Sequence, residues 1–210
     1  MADYLTVLKE GFSDLTIERS QFLGYVKNVT SREEAEAFFS SVKAAHRDAR
    51  HHVPAFVLGP GGREQWASDD GEPQGTAGAP VLGLLAAEGL TNVALIVVRY
   101  FGGIKLGTGG LVRAYTQAAR EALTDAGRAQ AVGGAVLTFQ LPYAALDKVK
   151  HFAAAEGYEI RDTQYAEAVK LFILTEDARE GALTERITNI TAGEARLLAR
   201  EETEILRSPG

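Results

Sequence analysis

The residues best suited to chemistry lie between Val97 and Tyr115, where a predicted strand leads through several glycines into a predicted helix. The apolar run Val93 to Val98 predicts a buried strand, and the helical pattern begins at Leu111. N–H groups at a glycine-rich helix N-terminus are suited to bind an anion, although a tight turn for helix packing is the alternative. The candidate anion-binding or nucleic-acid-binding residues are Arg99, Lys105, Gly107, Thr108, Gly109, Gly110 and Arg113. A P-loop is disfavoured, because the glycines are not followed by Lys and Ser or Thr.

Three carboxylates lie within four residues of a second loop, which runs from Ser68 to Gly78. Oxygen ligands suit hard cations, so Asp69, Asp70 and Glu72 are candidate ligands for Mg²⁺, the one cofactor that the sequence suggests. A carboxylate in such a loop is also a candidate general base. The alternative is that Asp and Gly shape the turns through local hydrogen bonds.

Three of the four histidines lie in the segment His46 to His52. Histidine is suited to proton transfer and to zinc binding, but this spacing matches neither a zinc finger nor a His-Glu-x-x-His site. Strand alternation predicts that the rings of His51 and His52 point to opposite faces. A testable structural prediction is that all these groups meet in one cleft, whose candidate residues are His46, His51, His52, Asp69, Asp70, Glu72 and Tyr100.

Composition excludes several classes of protein. The 210-residue chain has a net charge of −6, which argues against a general nucleic-acid binder while leaving room for a local basic patch. It has no cysteine, so disulfides, thiolate nucleophiles and Cys-type zinc sites are excluded. We expect a cytoplasmic protein with no membrane partner, because no signal peptide or run of about 20 apolar residues is seen.

Apolar periodicity predicts an α+β protein of two domains, at 1–130 and 135–210, separated by a small-residue segment at 128–134. The first domain is expected to contain a hairpin over 15–29, a helix that begins with a capping box at Ser31 and ends near His46, and a strand at 53–58. A strand at 93–100 and a helix at 111–126 follow. The second domain is predicted to have the order β-α-β-β-α-β, which is the ferredoxin-like plan.

Together, segments 67–78 and 97–115 and the pattern His46-x-x-Ala-Arg-His-His52 resemble the IMPACT family, in its bacterial YigZ-like two-domain branch. The resemblance covers about residues 20–130. It implies an N-terminal domain with the ribosomal protein S5 domain 2-like fold, a mixed sheet with two long helices on one face. It also implies a ferredoxin-like C-terminal domain that is similar to domain V of elongation factor G.

The resemblance also implies a role in translation, since eukaryotic members regulate translation under amino-acid starvation. We therefore expect a non-enzymatic regulator that binds RNA, the ribosome or a protein partner through the basic, glycine-rich segment, with no specificity for DNA. The alternative is a Mg²⁺-dependent enzyme, or a binding protein, for a phosphorylated small molecule or nucleotide. A plain protein-interaction module is the third hypothesis.

Overall fold

The computed structural model describes residues 3–208, which divide into two units built on Tyr4–Ala131 and Val132–Ile205. Residues 1, 2, 209 and 210, which belong to the predicted domains, lie outside the described residues. Within the described residues, no helix is both long and apolar enough to cross a membrane.

The first unit is built around an antiparallel sheet. Its elements are β1 (Tyr4–Val7), β2 (Gly11–Ile17), β3 (Ser20–Asn28), α1 (Arg32–Ala45), β4 (His51–Leu58), β5 (Glu64–Ala67), α2 (Gly78–Ala87), β6 (Val93–Tyr100) and α3 (Gly107–Ala126), followed by β7 (Arg128–Leu141). The sheet has the order β2-β3-β6-β4-β5, and every neighbouring pair is antiparallel.

The central strand β6 is buried on both sides, which explains its continuous apolar run. Val93, Leu95 and Val97 pack with residues of α2 and α3. Their neighbours Ala94, Ile96 and Val98 pack with residues of α1. The long helices α1 and α3 therefore lie on opposite faces of an antiparallel sheet, and the expectation of a mixed sheet with both on one face is wrong.

Helix α1 begins as its sequence predicts. The Ser31 hydroxyl accepts a hydrogen bond from the Glu34 N–H, and the Glu34 carboxylate accepts one from the Thr30 N–H. These bonds satisfy N–H groups that have no acceptor within the helix. The helix ends at its C-cap His46, as predicted.

Residues 128–134 were expected to separate the domains but belong to the continuous strand β7. The first part of β7 pairs with β1, and residues from Gly134 onward pair with β9 (Val169–Glu176). Small residues here reflect close packing, since a Cβ on Gly134 would lie 2.6 Å from the Thr175 carbonyl oxygen. The strand over 128–134 was therefore missed, although the boundary between the two units, after Ala131, falls within this segment.

The second unit continues with α4 (Tyr143–Ala155), β8 (Glu159–Tyr165), β9, α5 (Glu180–Ile190) and β10 (Arg196–Arg207). Its strands have the order β10-β7-β9-β8, and its core contains Leu137, Phe139, Leu171 and Ile173. This confirms the predicted β-α-β-β-α-β order and the α+β class.

Candidate functional site

Strand alternation divides the predicted site residues between the two faces of the first sheet. On β6, Arg99 shares its face with the core beneath α3, whereas Tyr100 packs with the core beneath α1. On β4, His51 lies opposite Arg99 in the register, and His52 lies opposite Val98. Residues adjacent in the sequence therefore serve two different sites, and the predicted single cleft does not contain them all.

On the α3 face, Arg99 forms a buried ion pair with Glu72. Its Nη1 donates to Glu72 Oε1 at 2.6 Å, and the Tyr115 hydroxyl donates to the same oxygen at 2.7 Å. Burial raises the pKa of Tyr115 well above its usual range, and the bond to Glu72 adds to this effect. The Arg99 guanidinium also lies 5.3 Å from the ring centroid of Phe22, and the residue is only 4% exposed. Its charge is thus balanced inside the protein, but its buried Nε has no hydrogen-bond partner in the described part of the chain.

The glycine-rich segment enters a helix earlier than the sequence suggested. Helix α3 begins at Gly107, not at Leu111, so Gly107, Thr108, Gly109 and Gly110 form its first turn. This turn was not predicted from the sequence, because glycine has a low helix propensity. The N-cap is Leu106, and none of the described side chains caps the helix. The first N–H groups of α3 therefore lack an acceptor within the helix, as at any helix N-terminus.

At most glycines of this segment, packing or backbone conformation requires that residue type. A Cβ on Gly102 would lie 2.0 Å from the Arg19 carbonyl, and one on Gly110 would lie 2.9 Å from Leu106 Cβ. Gly103 and Gly107 have φ of 86° and 69°, which favour glycine. Gly109 differs, because a Cβ there would meet only Arg113 Nη1, at 3.8 Å. Packing and backbone conformation do not explain glycine at this position.

A concave site lies at the N-terminal end of α3, and we call it the α3 cleft. Its volume is about 510 Å³. It is lined by Arg50, His51, Gly71, Glu72, Pro73, Arg99, Phe101, Lys105, Leu106, Gly107, Thr108 and Leu111. It thus joins one predicted histidine, one predicted carboxylate and part of the glycine-rich segment. Such a volume lies within the usual range for small-ligand sites.

Two cations of the α3 cleft are not balanced by the protein. Arg50 and Lys105 are exposed, and neither forms an ion pair within residues 3–208. The Arg50 guanidinium lies 5.9 Å from the Phe101 ring centroid. Arg50 and Phe101 were missed as candidates, although Arg50 directly precedes the two histidines and Phe101 directly precedes Gly102. Arg113 was predicted, but it lies exposed on α3 and does not line the cleft.

The orientation of His51 is fixed by the carboxylate loop. Its Nδ1 lies 2.8 Å from the Asp70 carbonyl oxygen, which can only accept, so Nδ1 carries the proton. In the neutral ring, Nε2 is therefore an acceptor, and it lies 3.8 Å from Glu72 Oε1. Asp70 adopts a positive φ of 44°, and its carboxylate accepts from the His52 N–H at 2.6 Å. The loop thus positions His51 through a backbone carbonyl.

The three candidate Mg²⁺ ligands have separate partners. Glu72 pairs with Arg99, Asp70 binds the His52 N–H, and Asp69 accepts from the N–H groups of Gly75, Ala77 and Gly78. Burial would raise the pKa of Asp69, but these three donors outweigh burial and lower it. Among the described residues, no group of three or more His, Asp or Glu side chains is placed to hold a metal. Ligation of Mg²⁺ by this loop remains a prediction.

On the α1 face, His46 is the centre of a closed hydrogen-bond network, which we call the His46 network. Its Nε2 lies 2.7 Å from the Tyr25 hydroxyl, and its Nδ1 lies 2.9 Å from the Tyr100 hydroxyl. His52 Nε2 donates to the His46 carbonyl oxygen at 2.9 Å. Burial lowers the pKa of His46, as does the nearby His52, and burial raises the pKa of Tyr25. His46, His52 and Tyr100 were predicted for the cleft but are structural partners here.

Comparisons with known proteins agree over both units. The profile of the Impact N-terminal domain matches residues 18–123, and that of a domain of unknown function, DUF1949, matches residues 139–194. The chain is similar to the IMPACT family member YvyE of Bacillus subtilis (strain 168), with 34% identity over 200 residues that cover 95% of this chain and 92% of that protein. It is also similar to the IMPACT family member YigZ of Escherichia coli (strain K12), with 36% identity over 188 residues that cover 89% of this chain and 92% of that protein.

A solved structure supports the same likeness in three dimensions. The crystal structure of a hypothetical protein superposes with a TM-score of 0.62 at 33% identity, covering 95% of this chain and 98% of that chain. The two-domain α+β fold expected for this chain, with a ferredoxin-like second unit, is therefore confirmed.

Proposed function

Because this chain belongs to the IMPACT family, we propose that it is a translation-related regulator that binds RNA through the α3 cleft. Family membership supports the link to translation, since the resemblance implies it for eukaryotic members. The arrangement of charges in the cleft supports RNA as the ligand. No catalytic step is part of this proposal.

One observation carries the proposal: uncompensated positive charge surrounds a free helix N-terminus. Arg50 and Lys105 line the cleft without an ion-pair partner in the described part of the chain, next to the uncapped first turn of α3. A helix N-terminus carries about half a positive charge and presents N–H donors. Phosphate groups bind well to this combination, and phosphate contacts supply most of the affinity in non-specific RNA recognition.

The acidic net charge of −6 is compatible with this function, because the negative residues are elsewhere or already paired. Glu72 is the one carboxylate in the lining of the cleft, and Arg99 neutralises it at 2.6 Å. Charges farther away than about 8 Å are largely screened at physiological salt. The local field at the α3 cleft therefore attracts anions in spite of the total charge.

The test is binding of a single-stranded RNA, measured by fluorescence anisotropy over a series of salt concentrations. We expect affinity to fall as salt rises, because phosphate binding releases counterions. The double variant Arg50→Glu with Lys105→Glu should bind at least about tenfold more weakly, as expected when two phosphate contacts become repulsive.

The matched control is Arg47→Glu with Arg63→Glu, which changes the net charge equally at two exposed positions outside the cleft. It should bind within about twofold of the original protein, because distant surface charges are screened. Absence of salt-dependent RNA binding by the original protein would contradict the proposal and favour a protein partner. Equal losses in both double variants would exclude the cleft as the binding site.

A further inference from the structure

We propose that the phosphate bound in the α3 cleft is a terminal phosphomonoester, carried by a nucleotide or by the end of an RNA, rather than a phosphodiester within a strand. This inference rests on the proposed RNA-binding function and narrows its ligand. Charge, shape and the free hydrogen-bonding groups of the cleft each support it.

The charge of the cleft matches a doubly charged anion. Arg50 and Lys105 each supply a full positive charge without an ion-pair partner in the described residues, and the α3 N-terminus adds a partial one. The Arg99 charge is already balanced by Glu72. A phosphomonoester carries about −1.5 to −2 at neutral pH, whereas each phosphodiester carries −1. The monoester therefore gains more from this set of cations.

The shape of the cleft suits one nucleotide better than a strand. A volume of about 510 Å³ is that of a small-ligand pocket. Strand-binding proteins instead place several aromatic rings along an open groove, so that successive bases stack. Among the lining residues, Phe101 is the single aromatic ring besides the His51 imidazole, and Pro73, Leu106 and Leu111 supply the remaining apolar surface.

A buried donor at the wall of the cleft provides an independent sign of a ligand. Arg99 is 4% exposed and lines the cleft, and its Nε has no acceptor among residues 3–208. Buried donors are nearly always paired, so an orphan donor beside a pocket calls for an acceptor. A terminal phosphate offers three non-bridging oxygens, one more than a phosphodiester, to accept hydrogen bonds from the cations and N–H groups at this wall of the cleft.

The cleft also contains a hydrogen-bond acceptor, the His51 imidazole. In the neutral ring of His51, Nδ1 donates to the Asp70 carbonyl, so Nε2 offers a lone pair inside the cleft. The hydroxyl groups of a ribose are donors that suit this position. A phosphate and a ribose on one ligand are what a terminal nucleotide provides.

The test compares one single-stranded RNA of 10 nucleotides in three forms: with a 5′-phosphate, with a 3′-phosphate, and with hydroxyl groups at both ends. Affinities are measured by anisotropy, and AMP is tested both as a competitor of the RNA and directly by isothermal titration calorimetry. We expect one phosphorylated form to bind at least tenfold more tightly than the form with hydroxyl ends. Lys105→Gln should abolish this difference, and the control Arg63→Gln should retain it.

The outcomes separate this inference from the proposed function. Measurable and equal binding of all three RNAs would overturn the terminal-phosphate inference and leave RNA binding intact. Competition by AMP would support a phosphomonoester site and identify the free nucleotide as a source. Binding of AMP without binding of any RNA would uphold the phosphomonoester and overturn the RNA function. Absence of binding by every ligand would overturn both.

Discussion

On the α3 face of the first sheet, Arg99 and His51 border an open cleft, whereas on the α1 face Tyr100 and His52 belong to the closed His46 network. The same two strands, β6 and β4, supply both pairs. On the α3 face, some hydrogen-bond donors and cationic side chains have no acceptor or carboxylate partner among the described residues. On the α1 face, both ring nitrogens of His46 have a hydroxyl partner. The face with unpaired polar groups is the one that we propose binds a ligand, and the paired groups on the other face hold α1 to the sheet.

Among changes that test the difference between the two faces, we expect removal of the buried Glu72 carboxylate in the α3 cleft to reduce stability most. Glu72→Ala leaves the Arg99 charge buried without its partner, so the free energy of unfolding should fall by about 3–5 kcal/mol. Urea denaturation monitored by circular dichroism measures this. Glu64→Ala is the matched control, because Glu64 pairs with Arg32 at a half-exposed position and should cost about 0–1 kcal/mol. Equal losses in the two variants would show that the buried pair is not special.

The next largest expected effect is a difference in stability between alanine substitutions at two glycines of the glycine-rich segment. In Gly102→Ala the new Cβ collides with the Arg19 backbone, and we expect a loss of about 1–3 kcal/mol. Gly109→Ala places its Cβ in open space within a helix, so stability should stay equal or rise by up to about 1 kcal/mol. Thermal unfolding measures both. A strongly destabilised Gly109→Ala protein would contradict the view that packing does not require this glycine.

The smallest effect concerns the His46 network and its dependence on pH. The pKa of His46 is lowered in the folded protein, mainly by burial, so the unfolded chain binds a proton first as the pH falls below about 6.5. Stability from the neutral ring is therefore present above that pH and is lost as the pH falls through the folded pKa. His46→Gln should weaken the loss of stability between pH 8 and pH 5.

The control for this experiment is His151→Gln on α4, which should keep the full dependence on pH because His151 lies in the exposed part of its helix. RNA binding at pH 8 should be unchanged in His46→Gln, since the ring faces away from the α3 cleft. Identical pH profiles for His46→Gln and the original protein would contradict the role assigned to the network.

Local chemistry made much of the fold predictable from the sequence. The Ser31 cap, the strand Val93–Tyr100 and the β-α-β-β-α-β order depend on neighbouring residues and on periodicity, and the structure confirms them. The first turn of α3 was missed because its glycines have low helix propensity. The first part of strand β7, residues 128–134, was missed because its small residues, which allow close packing, resemble those of a linker.

The site was less predictable, because its groups are brought together by tertiary contacts. Glu72 and Arg99 are 27 residues apart, and nothing local indicates that they pair. The division of His51 and His52 between two faces follows from alternation and was predicted, but the partners of each ring were not. Arg50 and Phe101 were passed over because an isolated arginine or phenylalanine carries no pattern of its own.

The most direct test of the account is to map RNA binding onto the two faces by nuclear magnetic resonance. In ¹⁵N-labelled protein titrated with whichever phosphorylated RNA binds more tightly, we expect the largest amide shifts at Gly107, Thr108, Gly109 and Gly110, with smaller ones at Arg50 and His51. The amides of Tyr25 and His46 should stay unchanged. Saturable binding with the largest shifts on the α1 face, or with none at the α3 N-terminus, would contradict the assignment of the α3 cleft as the RNA site.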